Sequence, residues 1–399
     1  MIEKLTLIDW KSFENSEVYI EPLTFLIGVN ASGKSNVIDA FGFLQQLALG
    51  VPIDDIANGI RGGKDWVVRD GKDCFTLSVD VRDDSCGVDY IYTVTIGIRT
   101  VGFEVFDESL GKKESIDGEE KMIVLYNTYS PKLDTLLKAV SLYTAKQGRR
   151  RRLDLYPSRS ILSQLEGRDL ADEVVNGVRF VADKLRNIFI LDPMPQHMRD
   201  YSPLSSALKP DASNIAGVLA GMSGTDRKPL LDAISNYVRP LPERDIESVW
   251  AETVGRFGRD AMLYCEENWT DKKKLVLDAR GMSDGTLRFI AIVMVLLIRP
   301  KGSLILVEEV DNGLHPSRAK ELVRALKEIG MERGVDILCT THNPVLIDQL
   351  GTDLIPSIAY LTRDRATGST KINTFDERED FVRLVASGSI GDHMAKGDL

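Results

Sequence analysis

Cysteine, histidine and long apolar runs are all scarce in this chain, and each scarcity removes a class of protein. The four cysteines, Cys74, Cys86, Cys265 and Cys339, are scattered through 399 residues without metal-ligand spacing. Reduced thiols are therefore expected, not a disulfide framework or a zinc site. Four histidines, His197, His315, His342 and His393, lie too far apart in sequence to suggest a metal cluster. The longest apolar run, Phe289 to Ile298, is too short to span a bilayer and reads as a buried helix. Internal repeats, low-complexity stretches and sustained heptads are missing, which excludes solenoids and long coiled coils. A net charge of −10 argues against adhesion to nucleic acid through the whole surface. The opening Met1-Ile2-Glu3-Lys4-Leu5-Thr6 reads as a strand and not as a leader, so a soluble cytoplasmic protein is expected. What remains is a globular composition, 43% hydrophobic and 28% charged, on a chain long enough for two or three lobes.

The most informative segment is Gly28-Val29-Asn30-Ala31-Ser32-Gly33-Lys34-Ser35, a complete G-x-x-x-x-G-K-[ST] loop. The apolar run Leu23-Thr24-Phe25-Leu26-Ile27 leads into it, and a helical pattern from Asn36 leaves it, as a phosphate-binding loop requires. Its glycines let backbone N–H groups close around phosphate oxygens, and the helix N-terminus adds partial positive charge. Asn30, Ser32, Gly33, Lys34, Ser35 and Asn36 are the candidate nucleotide contacts. Lys34 is expected to reach the β- and γ-phosphates, with the Ser35 hydroxyl on Mg²⁺. The implied ligands are a nucleoside triphosphate and Mg²⁺.

Around this loop the chain has a readable order. Residues 1–27 alternate apolar and polar positions and predict two or three strands. Alternating runs between about 74 and 128 predict an antiparallel β subdomain. Helical periodicity dominates from about 130 to 255, and strands and helices alternate again from 274. The expected division is an N-terminal lobe over 1–128, an inserted helical lobe over 129–270 and a C-terminal lobe over 271–399. The fold class is α/β.

Ser303-Leu304-Ile305-Leu306-Val307-Glu308-Glu309 reads as a buried strand that delivers two acids to a sheet edge. Glu308 would hold Mg²⁺ through water, and Glu309 would polarise the attacking water. Met282-Ser283-Asp284-Gly285-Thr286 lies before this strand, Asp311-Asn312-Gly313-Leu314-His315-Pro316 follows it, and Thr341-His342-Asn343-Pro344 ends a further apolar run.

These segments, in this order, resemble the ABC-type ATPase heads of the SMC, RecF and overcoming-lysogenization-defect group across residues 1–360. The resemblance implies a signature loop at Ser283 and Gly285, a D-loop after Glu309 and a switch histidine at His342 that senses the γ-phosphate. It also implies that Lys11, within Leu7–Phe13, lies beside the nucleotide. His315 reads as structural. Val310-Asp311 stands where many relatives carry Pro-Glu, and Val29 and Ala31 replace a Pro and a Gly often seen in the loop. For the Q-loop glutamine, Gln147 and Gln164 both remain candidates.

Within the group, the compact middle stretch resembles short ATPases paired with nucleases in bacterial antiviral defence. That likeness implies two heads sandwiching ATP, as a homodimer or higher oligomer, with each signature capping the partner's nucleotide. It further implies a separate effector chain, a nuclease, and no membrane association. Two alternatives stay open: a RecF-like DNA-repair ATPase and a scaffold that binds ATP without hydrolysing it. Arg149-Arg150-Arg151-Arg152 either binds nucleic acid or an acidic partner, or is a solvated loop. The acidic run Asp376–Asp380 reads as a solvated helix start.

Overall fold

The acids and the phosphate loop sit at strand ends, so strand order decides whether they meet. The computed structural model describes residues 1–100, 102–116, 119–129, 137–144, 150–241, 246–270, 273–375 and 388–396. Short apolar runs favour a sheet buried on both faces. Leu23–Ile27, Leu304–Val307 and Asp336–Thr341 are buried at every position. They are three of the four inner strands of a six-stranded sheet ordered Phe189–Leu191, Leu304–Val307, Asp336–Thr341, Leu23–Ile27, Ile358–Arg363, Thr370–Thr374. All neighbours in it run parallel except the last pair. Val307 lies opposite both Leu191 and Cys339, and Thr341 lies opposite Ile27. The residues that follow these strands, Asp192, Glu308, His342 and Gly28, therefore emerge at one carboxyl edge, where open α/β sheets place their ligands.

Alternate residues of each strand feed two cores. Phe25, Ile27, Ile305 and Val307 pack with the helices Asp284–Ile298 and Ala319–Arg333. Leu26, Leu304 and Leu306 pack with the phosphate-loop helix Lys34–Ala48 on the opposite face. The Phe289–Ile298 run falls inside the first of these helices, as expected. Gly334, at φ 61°, ends helix Ala319–Arg333 in the left-handed conformation that turns the chain into Asp336–Thr341.

The antiparallel subdomain is larger than the alternating runs suggested. Its eight-stranded sheet contains the four strands between Cys74 and Tyr129, with Ile2–Ile8 and Asn15–Tyr19 on one side and Lys138–Leu142 and Arg151–Leu155 on the other. Helix Lys34–Ala48 joins the two sheets through an aromatic cluster, in which Trp10 lies 5.4 Å from Phe43 and 4.9 Å from Phe75 between ring centroids.

The middle stretch is mixed and not helical throughout. Helices Asp172–Arg186, Ile215–Gly221 and Gly224–Val238 are present. So are the strands Ile246–Val254, Asp260–Thr270 and Lys273–Asp278, which form a third sheet with Ser202–Pro203. The helical reading underweighted the period of two in Ile246–Val254, where Val249 and Ala251 are buried on either side of the half-buried Trp250 and Glu252 is exposed. The arginine run is also placed differently, on an edge strand of the large sheet. Arg149 lies outside the described residues. Arg150 donates to the Val124 carbonyl and Arg151 to that of Asp169, at 3.1 and 2.7 Å, while Arg152 pairs with Asp154 at 3.1 Å. Charge on an exposed edge also discourages pairing with another strand. The acidic run Asp376–Asp380 lies outside the described residues. Among the described residues, no helix is long and apolar enough to cross a membrane.

Candidate functional site

The loop between Ile27 and Lys34 takes its shape from three left-handed residues. Gly28, Ala31 and Gly33 have φ of 151°, 63° and 107°. A Cβ at Gly33 would lie 2.7 Å from the Thr370 hydroxyl, and one at Gly28 would lie 2.6 Å from the Leu361 carbonyl oxygen. No side chain fits at either position. Ala31 takes the left-handed backbone at the strain cost of a Cβ. The loop is held from behind: the Thr370 hydroxyl donates to the Ser32 carbonyl at 3.0 Å and shares a hydrogen bond of 2.8 Å with the Ser12 hydroxyl. The Ser32 hydroxyl is buried inside the loop.

The Lys34 ammonium donates to the Gly28 and Val29 carbonyls at 2.7 and 2.9 Å, folding over its own loop. Burial lowers its pKa, and the charges of Glu309 and Glu308 offset part of that effect. Next to it, the Ser35 hydroxyl donates to Glu308 Oε1. The strand register brings these two residues together although 273 positions separate them.

Arg61 is the residue that sequence reasoning missed. Its guanidinium donates to Glu308 Oε1 and Oε2 at 2.8 and 2.7 Å, a bidentate clamp, and lies 3.8 Å from Asp39. Burial alone would raise the Glu308 pKa, but the hydrogen bonds from Arg61 and Ser35, together with the positive charges of Arg61 and Lys34, outweigh it and hold it below the ordinary carboxylate value. The same bond to Glu308 raises the Arg61 pKa. Nothing local marks Arg61 in the sequence beyond the glycines Gly62 and Gly63 beside it.

Glu309 has a φ of 46°, left-handed for a residue with a side chain. Thr340 supports this backbone by accepting the Glu309 N–H at 2.9 Å, and Asn312 donates to Glu309 Oε2 at 3.3 Å. Backbone strain held in place by neighbours is concentrated at functional positions. Asp311 accepts from the Thr341 hydroxyl at 2.6 Å, which ties the segment after the acids to the next strand.

A cleft of about 910 Å³ opens over this edge. Lys11, Asn30, Gly33, Lys34, Ser35, Asn36 and Glu309 all line it. Lys11 is committed to Asp39 at 2.6 Å and to the Arg61 carbonyl at 2.8 Å, so it acts on the cleft mainly as a brace. His342 is exposed just past Thr341 and does not line the cleft. Gln164 bonds only to its own loop, accepting from Tyr156 N–H and donating to carbonyls between Tyr156 and Ser160. Gln147 lies outside the described residues. His315 caps the turn after it, accepting the Ser317 N–H at 3.3 Å.

Ser283 and Gly285 line a second cleft of about 500 Å³, which shares no lining residue with the first. Ser283 is the N-cap of helix Asp284–Ile298, accepting the Thr286 N–H at 3.2 Å. A Cβ at Gly285 would lie 2.7 Å from the Gly313 carbonyl oxygen, so glycine is required where Met282–Thr286 packs on the segment after the two acids. Arg199 fastens the loop from outside, through the Met282 carbonyl at 2.9 Å and Asp284 at 2.6 Å.

The first cleft fits a triphosphate and a hard divalent cation. Left-handed residues recur at Gly28, Ala31 and Gly33 along a loop that opens a helix, an arrangement that presents N–H groups to anions. Ser35 and Glu308 bring two oxygen ligands together. Among the described residues, no group of three or more His, Cys, Asp or Glu side chains could hold a metal by itself. Mg²⁺ suits such a site, because it uses one or two carboxylates together with phosphate oxygens and water.

Two solved structures share the fold. One is an Smc head bound to the C-terminal winged-helix domain of ScpA, with a TM-score of 0.51 and 16% identity over 94% of this chain and 97% of that one. The other is an Smc head with an extended coiled coil bound to the C-terminal domain of ScpA, from Pyrococcus furiosus, with a TM-score of 0.52 and 13% identity over 96% and 99%. Comparison with curated proteins gave no significant match. Residues 23–348, from the phosphate-loop strand to the segment after His342, match the family model described as AAA domain, putative AbiEii toxin, Type IV TA system. With most of its length inside that model and an Smc-head fold, the chain belongs to this AAA-domain family.

Proposed function

We propose that this chain is a Mg²⁺-dependent, ABC-type ATPase that pairs head to head around ATP and regulates a separate effector. The observation that carries the reading is the convergence of Lys34, Ser35, Glu308 and Glu309 on one sheet edge, with Ser35 hydrogen-bonded to Glu308. Lys34 would leave the Gly28 and Val29 carbonyls for the β- and γ-phosphates, and Ser35 and Glu308 would hold the cation. Mg²⁺, when bound, supplies charge neutralisation to the phosphates. Glu309 would accept the proton of the attacking water, its carboxylate oriented by Asn312. His342, one residue past the sheet, would sense the γ-phosphate.

Ser283 and Gly285 would act on the nucleotide of a second copy, since their cleft is separate from the phosphate loop of their own chain. In this reading 1–128 and 271–399 form the head and 129–270 the insert between them. The family description, with its toxin–antitoxin context, and the likeness to overcoming-lysogenization-defect ATPases support a cytoplasmic regulator in bacterial antiviral defence, with a nuclease as the effector. The arginine run does not favour the DNA-repair alternative, because Arg150, Arg151 and Arg152 have partners within the chain.

The decisive test pairs two variants. Glu309→Gln keeps ATP binding and lowers hydrolysis by roughly 10²–10⁴-fold, the worth of a positioned general base. Lys34→Ala weakens ATP binding itself. Unchanged turnover in purified Glu309→Gln protein would remove Glu309 from this role.

A further inference from the structure

The cleft over the phosphate loop is larger than a triphosphate needs, and the nucleoside must lie against its remaining walls. Among the residues lining it, Trp66 is the only one with an aromatic ring. Trp66 is 71% exposed, and among the described residues its ring makes no hydrogen bond or ring contact. Water exposure of so large an apolar face is unfavourable, by about 25 cal/mol for each Å² left uncovered.

The loop that carries Trp66 is fixed relative to the phosphate site. Gly62 and Gly63, at φ of 88° and 69°, turn the chain into the short 3₁₀ segment Lys64–Trp66. Val67, immediately after it, is fully buried. Its carbonyl accepts the Lys11 N–H at 3.0 Å, the Arg69 N–H donates to the Asp9 carbonyl at 2.9 Å, and Val68 bridges to Trp10. Trp10 in turn donates through its indole N–H to the Asn36 carbonyl, in the first turn of the phosphate-loop helix, at 2.8 Å. A chain of bonds thus runs from Trp66 to the helix that begins at Lys34. The same loop carries Arg61, the residue that clamps Glu308.

We infer that Trp66 is the base platform of this site, stacking on the nucleobase of the bound triphosphate. The inference rests on the nucleotide-binding reading above and adds the part of the ligand that the phosphate loop cannot recognise. Every base has a π-face, so stacking supplies affinity with little preference among bases. Discrimination between adenine and guanine must come from polar neighbours.

The test compares ATP with inorganic tripolyphosphate, which has the phosphates and lacks the base. Binding is measured by calorimetry and by tryptophan fluorescence on the full chain with Mg²⁺. Wild-type protein binds ATP more tightly than tripolyphosphate, and ATP alone changes the fluorescence. Trp66→Ala weakens ATP by about 5- to 150-fold, the worth of one base–aromatic stack, and leaves tripolyphosphate within about twofold. Trp66→Phe keeps ATP affinity within a few-fold and loses the fluorescence change, which assigns the signal to this ring and not to the protein's other tryptophans. An equal loss of both ligands in Trp66→Ala overturns the inference, because Trp66 would then only shape the loop. No loss of either overturns it too, because the base then lies elsewhere. If wild-type protein binds neither ligand, the nucleotide reading itself fails. If it binds both equally, only the base platform does.

Discussion

The Arg61 clamp on Glu308 makes a prediction with opposite signs for two ligands. A divalent cation and the guanidinium compete for the same carboxylate, at contacts of 2.7 and 2.8 Å. Two charge-assisted hydrogen bonds would be worth about 3–6 kcal/mol if both partners were fully desolvated. Glu308 is 15% exposed, but Arg61 is 54% exposed, so solvent screens much of this. Exposed ion pairs fall to about 1 kcal/mol or less. The clamp therefore lies between these limits, at about 1–3 kcal/mol. Arg61→Ala should tighten binding of a lone divalent ion by roughly 5- to 150-fold. The same substitution removes one positive charge from the wall of a cleft that is to hold a triphosphate, so Mg·ATP should bind about tenfold more weakly. Mn²⁺ titration followed by electron paramagnetic resonance gives the first number, and calorimetry with a non-hydrolysable ATP analogue gives the second. Both are run near pH 8, so that Glu308 stays ionised when the Arg61 bonds that help offset its burial are gone. Weaker Mn²⁺ binding, or tighter Mg·ATP binding, would refute the competition.

Two further outcomes are expected. Ser283→Asp keeps an N-cap acceptor for helix Asp284–Ile298, so the thermal midpoint should hold, while the added negative charge should abolish ATP-dependent pairing by light scattering. A variant dimer as stable as wild type would remove Ser283 from the partner's nucleotide. Glu108 is fully buried, accepts the Ile161 and Leu162 N–H groups at 2.7 Å each, and burial raises its pKa to about 7 despite those bonds. A carboxyl raised above its unfolded value contributes most below about pH 4.5, and its contribution is lost as pH rises through about 7. Between about pH 5.5 and 8, wild-type stability should fall by about 2 kcal/mol more than that of Glu108→Gln, read from urea midpoints at each pH. Parallel pH profiles would show that Glu108 does not titrate in this range.

The phosphate loop, the two acids and the buried strands were legible in the sequence because each is a local pattern. A glycine is needed where φ is positive, as at Gly28 and Gly33, and a strand buried on both faces must be apolar throughout, as at Leu23–Ile27. The antiparallel runs after Cys74 were legible for the same reason, through alternation between a buried and a solvated face. The middle stretch was not. Its strands between Ile246 and Asp278 pair with one another over a mixed surface, and tertiary packing overrode the helical period assigned to it.

Sequence alone could fix which residue types stand at each strand end, but not which ends lie side by side. Only the order of the parallel sheet brings Glu308 to Ser35, and only its register places Asp192, Glu308, His342 and Gly28 at one edge. Arg61 and Trp66 depend on the fold even more completely. Neither belongs to a periodic pattern or a motif, and each acquires its place from bonds to residues distant in the chain: Glu308 for Arg61, and the Asp9–Lys11 segment for the loop that carries Trp66. A local pattern records the conformation that a backbone needs. The meeting of two side chains hundreds of positions apart is decided by packing, and it exists only in the folded chain.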